Sequence, residues 1–190
     1  TKICSLLSRD LASTMRALSS AQQTTVDEIN SDYSRMINIK VGDRYRIVHS
    51  CSPLNGDYQI TKAQLEGEIL NGVEALIIRT LPNEQKQTKD YNNTNWSYLS
   101  KSATQYIRNL GIKHLLIDLP SVDREQDGGA LVSHRAFWNY PQEIDLKRTI
   151  TELISVGDSI NDGLFLLNLS VANIVNDASP SRPILYKLSK

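Results

Sequence analysis

Histidine, cysteine and any imbalance of charge are what this sequence has least of. Only three histidines and two cysteines occur in 190 residues. The cysteines, Cys4 and Cys51, stand far apart with no CxxC pair, which excludes a disulfide framework and a zinc ribbon. A reducing, cytoplasmic setting is the expectation that follows. Lys+Arg and Asp+Glu are equal at 21 each, and the basic residues are scattered, so nothing marks a nucleic-acid partner or an anionic membrane surface. No unbroken apolar run approaches the roughly 20 residues that a membrane span requires. Asn92, Asn95 and Asn168 each open an N-x-S/T sequon, read as chance matches because no secretory signal peptide is apparent.

What is present suits a single domain with its own core. Ile3, Leu7, Leu11, Met15 and Leu18 recur at helical spacing, and Thr25 with Glu28 forms a capping box that opens a second amphipathic helix. Residues 1–36 are therefore expected to be a helical arm, and 37–190 the main α/β body. From Ile39 the period falls to two through Val41, Tyr45 and Ile47, with Gly42-Asp43 as the turn of a hairpin. Ser52 to Gly56 has turn chemistry, and Thr61 with Gln64 caps a short helix that Gly72 can close. Val73 to Ile78 and Ile112 to Leu119 read as strands buried on both faces. Leu99, Ala103, Tyr106, Ile107 and Leu110 mark a helix ending at Gly111. Two successive helix-then-strand units argue for an α/β core with parallel pairing. Later strands are expected at 149–156, 164–175 and 184–188. The polar stretch Leu81 to Tyr98 is a long loop, pinned to the body by Trp96 and Tyr98.

Few residues can carry chemistry. His49 and His114 lie in or beside strands and read as satisfied or surface side chains. His134 differs, because it follows the glycine-bearing loop Asp127 to Gly129 beyond the carboxyl end of a buried strand, where α/β folds present functional groups. Three readings compete here. Val156 to Asp162, VGDSIND, with Asp118 at a strand end, resembles the magnesium motif and nucleophile of a haloacid-dehalogenase-like phosphatase. Against it, Pro120 stands where the general acid should be, and only about forty residues separate the two elements. Ser121 with His134 and Asp118 or Glu152 offers a serine-hydrolase triad, but no G-x-S-x-G elbow surrounds Ser121.

The third reading rests on three motifs in order: GIKHLLIDLPSVD from Gly111, SHRAFW from Ser133 and TITEL from Thr149. Together they resemble the cyclase family of metal-dependent hydrolases, which includes kynurenine formamidase and isatin hydrolase, and the likeness runs more loosely from Ile60 to Tyr186. The resemblance implies a swivelling β/β/α domain, a homo-oligomer, a zinc or manganese cofactor and a small-molecule substrate. It also implies hydrolysis of an amide or related carbonyl bond by metal-activated water. His134 and Glu152 match the family's late metal ligands, whereas without the resemblance Glu152 reads as an exposed strand residue. No residue is assigned a catalytic role. The family's early motif, H-x-G-T-H-x-D-x-P-x-H, has no counterpart in this chain. A chain trimmed at its start, a motif supplied by another chain, and a non-catalytic scaffold or oligomer-forming subunit are the three accounts of that gap.

Overall fold

Residues 47–48, 52–54, 57–66, 73–81, 83, 86, 88–174, 176 and 178–187 are described by the computed structural model. The expected helical arm, the hairpin from Ile39 to Tyr45, His49 and Gly72 lie outside them.

The apolar run after Val73 is continuous because its strand is covered on both faces. In β4 (Ala75–Ile78) all four residues are buried, Leu76 and Ile78 packing into one core and Ala75 and Ile77 into another. That division follows from the two-residue period of a strand. β6 (His114–Ile117) repeats it, with Leu115 and Ile117 on one side and Leu116 on the other. β4 and β6 are central in a four-stranded parallel sheet of order β1-β4-β6-β7, where β1 is Ile47–Val48 and β7 is Thr149–Thr151. Burying one such leucine or isoleucine contributes about 1.5–3 kcal/mol.

Helices cover the first face. α1 (Lys62–Leu65) begins where Gln64 Oε1 accepts from the Thr61 amide at 2.7 Å, the capping box read from the sequence. α2 (Lys101–Asn109) starts at Ser100, whose hydroxyl accepts from Ala103 N at 3.0 Å, and buries Ala103, Thr104 and Ile107. It stops at Gly111, whose φ of 85° suits glycine. α3 (Val132–Trp138), which no periodicity announced, adds Phe137 to the same core. Beside the helices runs a second sheet of order β2-β3-β5, built from Ser52–Leu54, Asp57–Ile60 and Tyr98–Leu99. Ser52 to Leu54, expected as part of a turn, is thus a strand paired antiparallel with β3.

The opposite face carries an antiparallel ribbon of β8 (Phe165–Val171) and β9 (Ser181–Lys187). Phe165, Leu167 and Leu169 alternate inward onto Ala75, Ile77 and Leu116. The result is a β/β/α layering, as expected. Just after β7 the chain changes layer: Ile150 belongs to the helix-side core and Ile154 to the ribbon-side core, with Leu153 between them at a left-handed φ of 55°. No helix among the described residues is long and apolar enough to cross a membrane.

Candidate functional site

The carboxyl ends of β6 and β7 each carry a buried acid one residue past the strand, Asp118 and Glu152. Between them in sequence, residues 119–131 loop away and return into α3, which delivers His134. The structure brings the two sequence-nominated residues together: His134 Nε2 lies 3.4 Å from Glu152 Oε1, and both side chains are almost fully buried. Glu152 is therefore buried rather than the exposed strand residue that a lone glutamate suggests.

Each partner is held from behind. Glu152 Oε1 accepts from the Val122 amide at 2.8 Å, and the Ser121 hydroxyl also hydrogen-bonds this carboxylate. Burial nevertheless dominates and pushes the Glu152 carboxyl up to about 7, against the opposing pull of His134, Val122 and Ser121. On the other side, His134 Nδ1 lies 2.6 Å from Asp123 Oδ2, and Trp138 packs on the imidazole with ring centroids 5.3 Å apart. Burial alone would raise the Asp123 carboxyl. The hydrogen bond and charge of His134, with the amides of Ser133 and His134, outweigh it and hold the group below the ordinary carboxylate range.

Asp123 is the residue that sequence reading missed. Its carboxylate takes the amides of Ser133 at 2.5 Å and His134 at 3.2 Å, so it caps α3 from outside the helix. The residue at the cap position itself, Leu131, has no side-chain acceptor and stands at a φ of 46°. Asp127 fixes the approach by accepting from Gly129 N and Leu131 N, each at 2.7 Å. A loop carrying aspartates at 123 and 127 before an apolar turn was the available signal, but the cap lies too far upstream for any local motif.

The other nominated constellations do not form the arrangements that their chemistry needs. Asp118 takes the Thr80 amide at 3.0 Å, the Thr80 hydroxyl at 2.9 Å and the Lys86 ammonium. Within VGDSIND, Asp158 accepts from Asn83 Nδ2 at 2.7 Å and Asp162 faces Arg79 at 3.6 Å, both acids being exposed. Arg79 donates to the Gly157 and Ile160 carbonyls, which makes this loop a clamped connection. Ser121 Oγ accepts from Asp123 N at 3.1 Å and serves the Glu152 carboxylate, an arrangement unlike a nucleophile–base pair. The loop after β4 is pinned as expected, through Trp96 Nε1 on the Asp123 carbonyl at 3.1 Å. Glu125 accepts there from Asn93 N at 2.6 Å and Asn95 N at 2.8 Å.

An imidazole and a carboxylate are the donor types for a zinc or manganese ion. Among the described residues no group of three or more His, Cys, Asp or Glu could hold a metal ion, so this pair is at most part of a ligand set.

Residues 13–124, more than half the chain, match a family model described as a putative cyclase. No curated protein matches the chain. Among solved structures it is similar to a potential metal-dependent hydrolase with cyclase activity, at 17% identity and a TM-score of 0.55 over 75% of this chain and 64% of the other. A predicted metal-dependent hydrolase from Bacillus stearothermophilus gives 17% identity and a TM-score of 0.55, over 75% of this chain and 62% of that one. A protein described as a novel cyclase gives 19% and 0.53, over 80% and 55%. The chain thus spans between 55% and 64% of the lengths of these structures, and the likeness is one of fold.

Proposed function

This chain belongs to the cyclase family, and from that premise we propose that it is a metal-dependent hydrolase in which His134 and Glu152 are two of the metal ligands. Its reaction is cleavage of an amide or related carbonyl bond in a small molecule, as in the kynurenine formamidase-like members. The observation that carries the reading is the 3.4 Å between His134 Nε2 and Glu152 Oε1, two groups that arrive from different elements and are both buried. Two ligands held at about 2.0–2.1 Å by a tetrahedral ion stand roughly 3.3 Å apart, so the pair fits as one edge of such a site.

A catalytic ion of this kind needs about three protein ligands. The remaining ligands would come from outside this sequence. When bound, zinc or manganese supplies Lewis acidity, lowering the pKa of a water and polarising a carbonyl. The chain's own groups prepare the place. Val122 N and Ser121 orient the Glu152 carboxylate, Asp123 and Trp138 fix the His134 ring, and burial keeps bulk water from competing.

Metal analysis of the purified protein, with melting curves in added zinc or manganese, tests the reading. A ligand that binds only the native state raises the melting temperature by an amount that grows with the logarithm of its concentration over its dissociation constant. The wild type is expected to gain stability and His134→Ala to gain little, with hydrolysis of a panel of formamides and cyclic amides lost in the same variant. A wild type that purifies without metal and melts unchanged in both ions would sink the proposal.

A further inference from the structure

We propose that Asp123 is a positioning residue that holds the His134 ring with Nδ1 as the donor to it and thereby turns Nε2 toward Glu152. The inference rests on the metal-site reading above for its purpose, but the geometry behind it belongs to this chain alone. Asp123 Oδ1 accepts from Ser133 N at 2.5 Å, and Oδ2 accepts from His134 N at 3.2 Å while lying 2.6 Å from His134 Nδ1. An ionised carboxylate has only acceptors to offer, so the proton between Oδ2 and the ring must reside on Nδ1. Nε2, the atom 3.4 Å from Glu152 Oε1, is then the ring nitrogen left to face an ion.

The lock depends on the same carboxylate doing a second task. His134 is the third residue of α3, and its amide and that of Ser133 are among the donors a helix start leaves without intrahelical partners. Leu131 at the cap position cannot satisfy them, and Asp123 does so from a loop. Backbone and ring of His134 are therefore tied to one group, with Trp138 against the ring face at 5.3 Å. Turning the imidazole over would break its contact with Asp123 Oδ2, and shifting the helix would break the cap. Carboxylates placed behind metal-binding histidines orient the ring and raise its basicity, and their loss typically weakens metal binding about 10- to 100-fold.

Asp123→Asn separates positioning from mere folding, since it keeps the shape and one acceptor. An asparagine that keeps its oxygen on Ser133 N turns its amide group toward Nδ1, which favours the opposite tautomer. Nitrogen-15 NMR of the imidazoles in metal-free protein at pH 8 reads the tautomer directly, and competition with a chromogenic chelator reads zinc affinity. The wild type should give the Nδ1–H signature for His134, assigned by its disappearance in His134→Gln. Asp123→Asn should shift it toward Nε2–H and bind zinc about 10- to 100-fold more weakly. An unprotonated Nδ1 in the wild type overturns the proposal, whether or not the variant folds. So does an Asp123→Asn protein with wild-type zinc affinity. If the wild type binds no zinc but shows the Nδ1–H form, the metal reading fails and the role of Asp123 in setting the tautomer survives.

Discussion

Asp118 and Glu152 end neighbouring strands of one parallel sheet and are both almost completely buried, yet they are treated in opposite ways. Asp118 receives two donors from Thr80 and the ammonium of Lys86, so its charge is answered inside the protein. Glu152 receives one amide, one hydroxyl and the edge of a histidine, and burial lifts its carboxyl to about 7. A buried charge is tolerated when paired and costly when not. The first carboxylate has its charge answered by a cation within the chain, and the second meets only an amide, a hydroxyl and a histidine edge.

The contrast can be broken most directly at Asp118. Asp118→Ala leaves Lys86 and the Thr80 amide without their acceptor, and a loss of about 3–5 kcal/mol in urea unfolding is expected. A loss below about 1 kcal/mol would mean that the pairing does not carry the charge.

Glu152 should behave with the opposite sign. Its carboxyl moves from an ordinary 4.5 up to about 7 in the folded chain, so the stability it contributes is complete below about 4.5 and is lost as pH rises through about 7. In metal-free protein Glu152→Gln should therefore gain on the wild type across that window, by up to about 3 kcal/mol at one unit to roughly 1.4 kcal/mol, and then run level. Urea curves at pH 5 and pH 8 measure this, and a gap that does not change with pH would remove the asymmetry.

Zinc should invert the ranking. At about 100 times its dissociation constant a native-state ligand adds about 2.7 kcal/mol, and that gain should appear in the wild type and shrink in Glu152→Gln. The smallest effect is expected at the far end of β6, where burial lowers the His114 imidazole despite the opposing charge of Glu74. The stability His114 contributes is present above the ordinary histidine range and lost as pH falls below it. His114→Gln should accordingly flatten the acid limb of the stability profile slightly and leave the alkaline side and zinc binding unchanged.

Sequence reading reached the elements whose signals are local. The Thr61–Gln64 capping box, the fully buried run into β4 and the α2 helix ending at Gly111 all depend on neighbours a few residues away. It also nominated His134 and Glu152, through motif resemblance, and the fold places them side by side. What escaped was set by tertiary contact. α3 has no cap of its own because Asp123 caps it across a loop, and Ser52 to Leu54 becomes a strand because β3 is there to pair with it. The burial of Glu152 escaped as well, since a lone glutamate reads as exposed until the loop carrying Ser121 and Val122 is seen to cover it.

Strand parity fails at Leu153, and the failure has a consequence for how the molecule can vary. Residues 150, 152 and 154 would share a face in a continuous strand, but the left-handed turn at Leu153 sends Ile150 and Ile154 to different cores. Everything upstream is bound to a strict two-residue register, in which adding or removing one residue would exchange inside for outside. Downstream of Leu153 the chain is held differently: Ile154 N still reaches the Ile117 carbonyl at 3.2 Å, and Arg79 and Asn83 fasten the carbonyls of residues 156, 157 and 160. Glu152 thus occupies the last position of the two-residue register, and the side chains that fasten the following segment keep that end of the register in place.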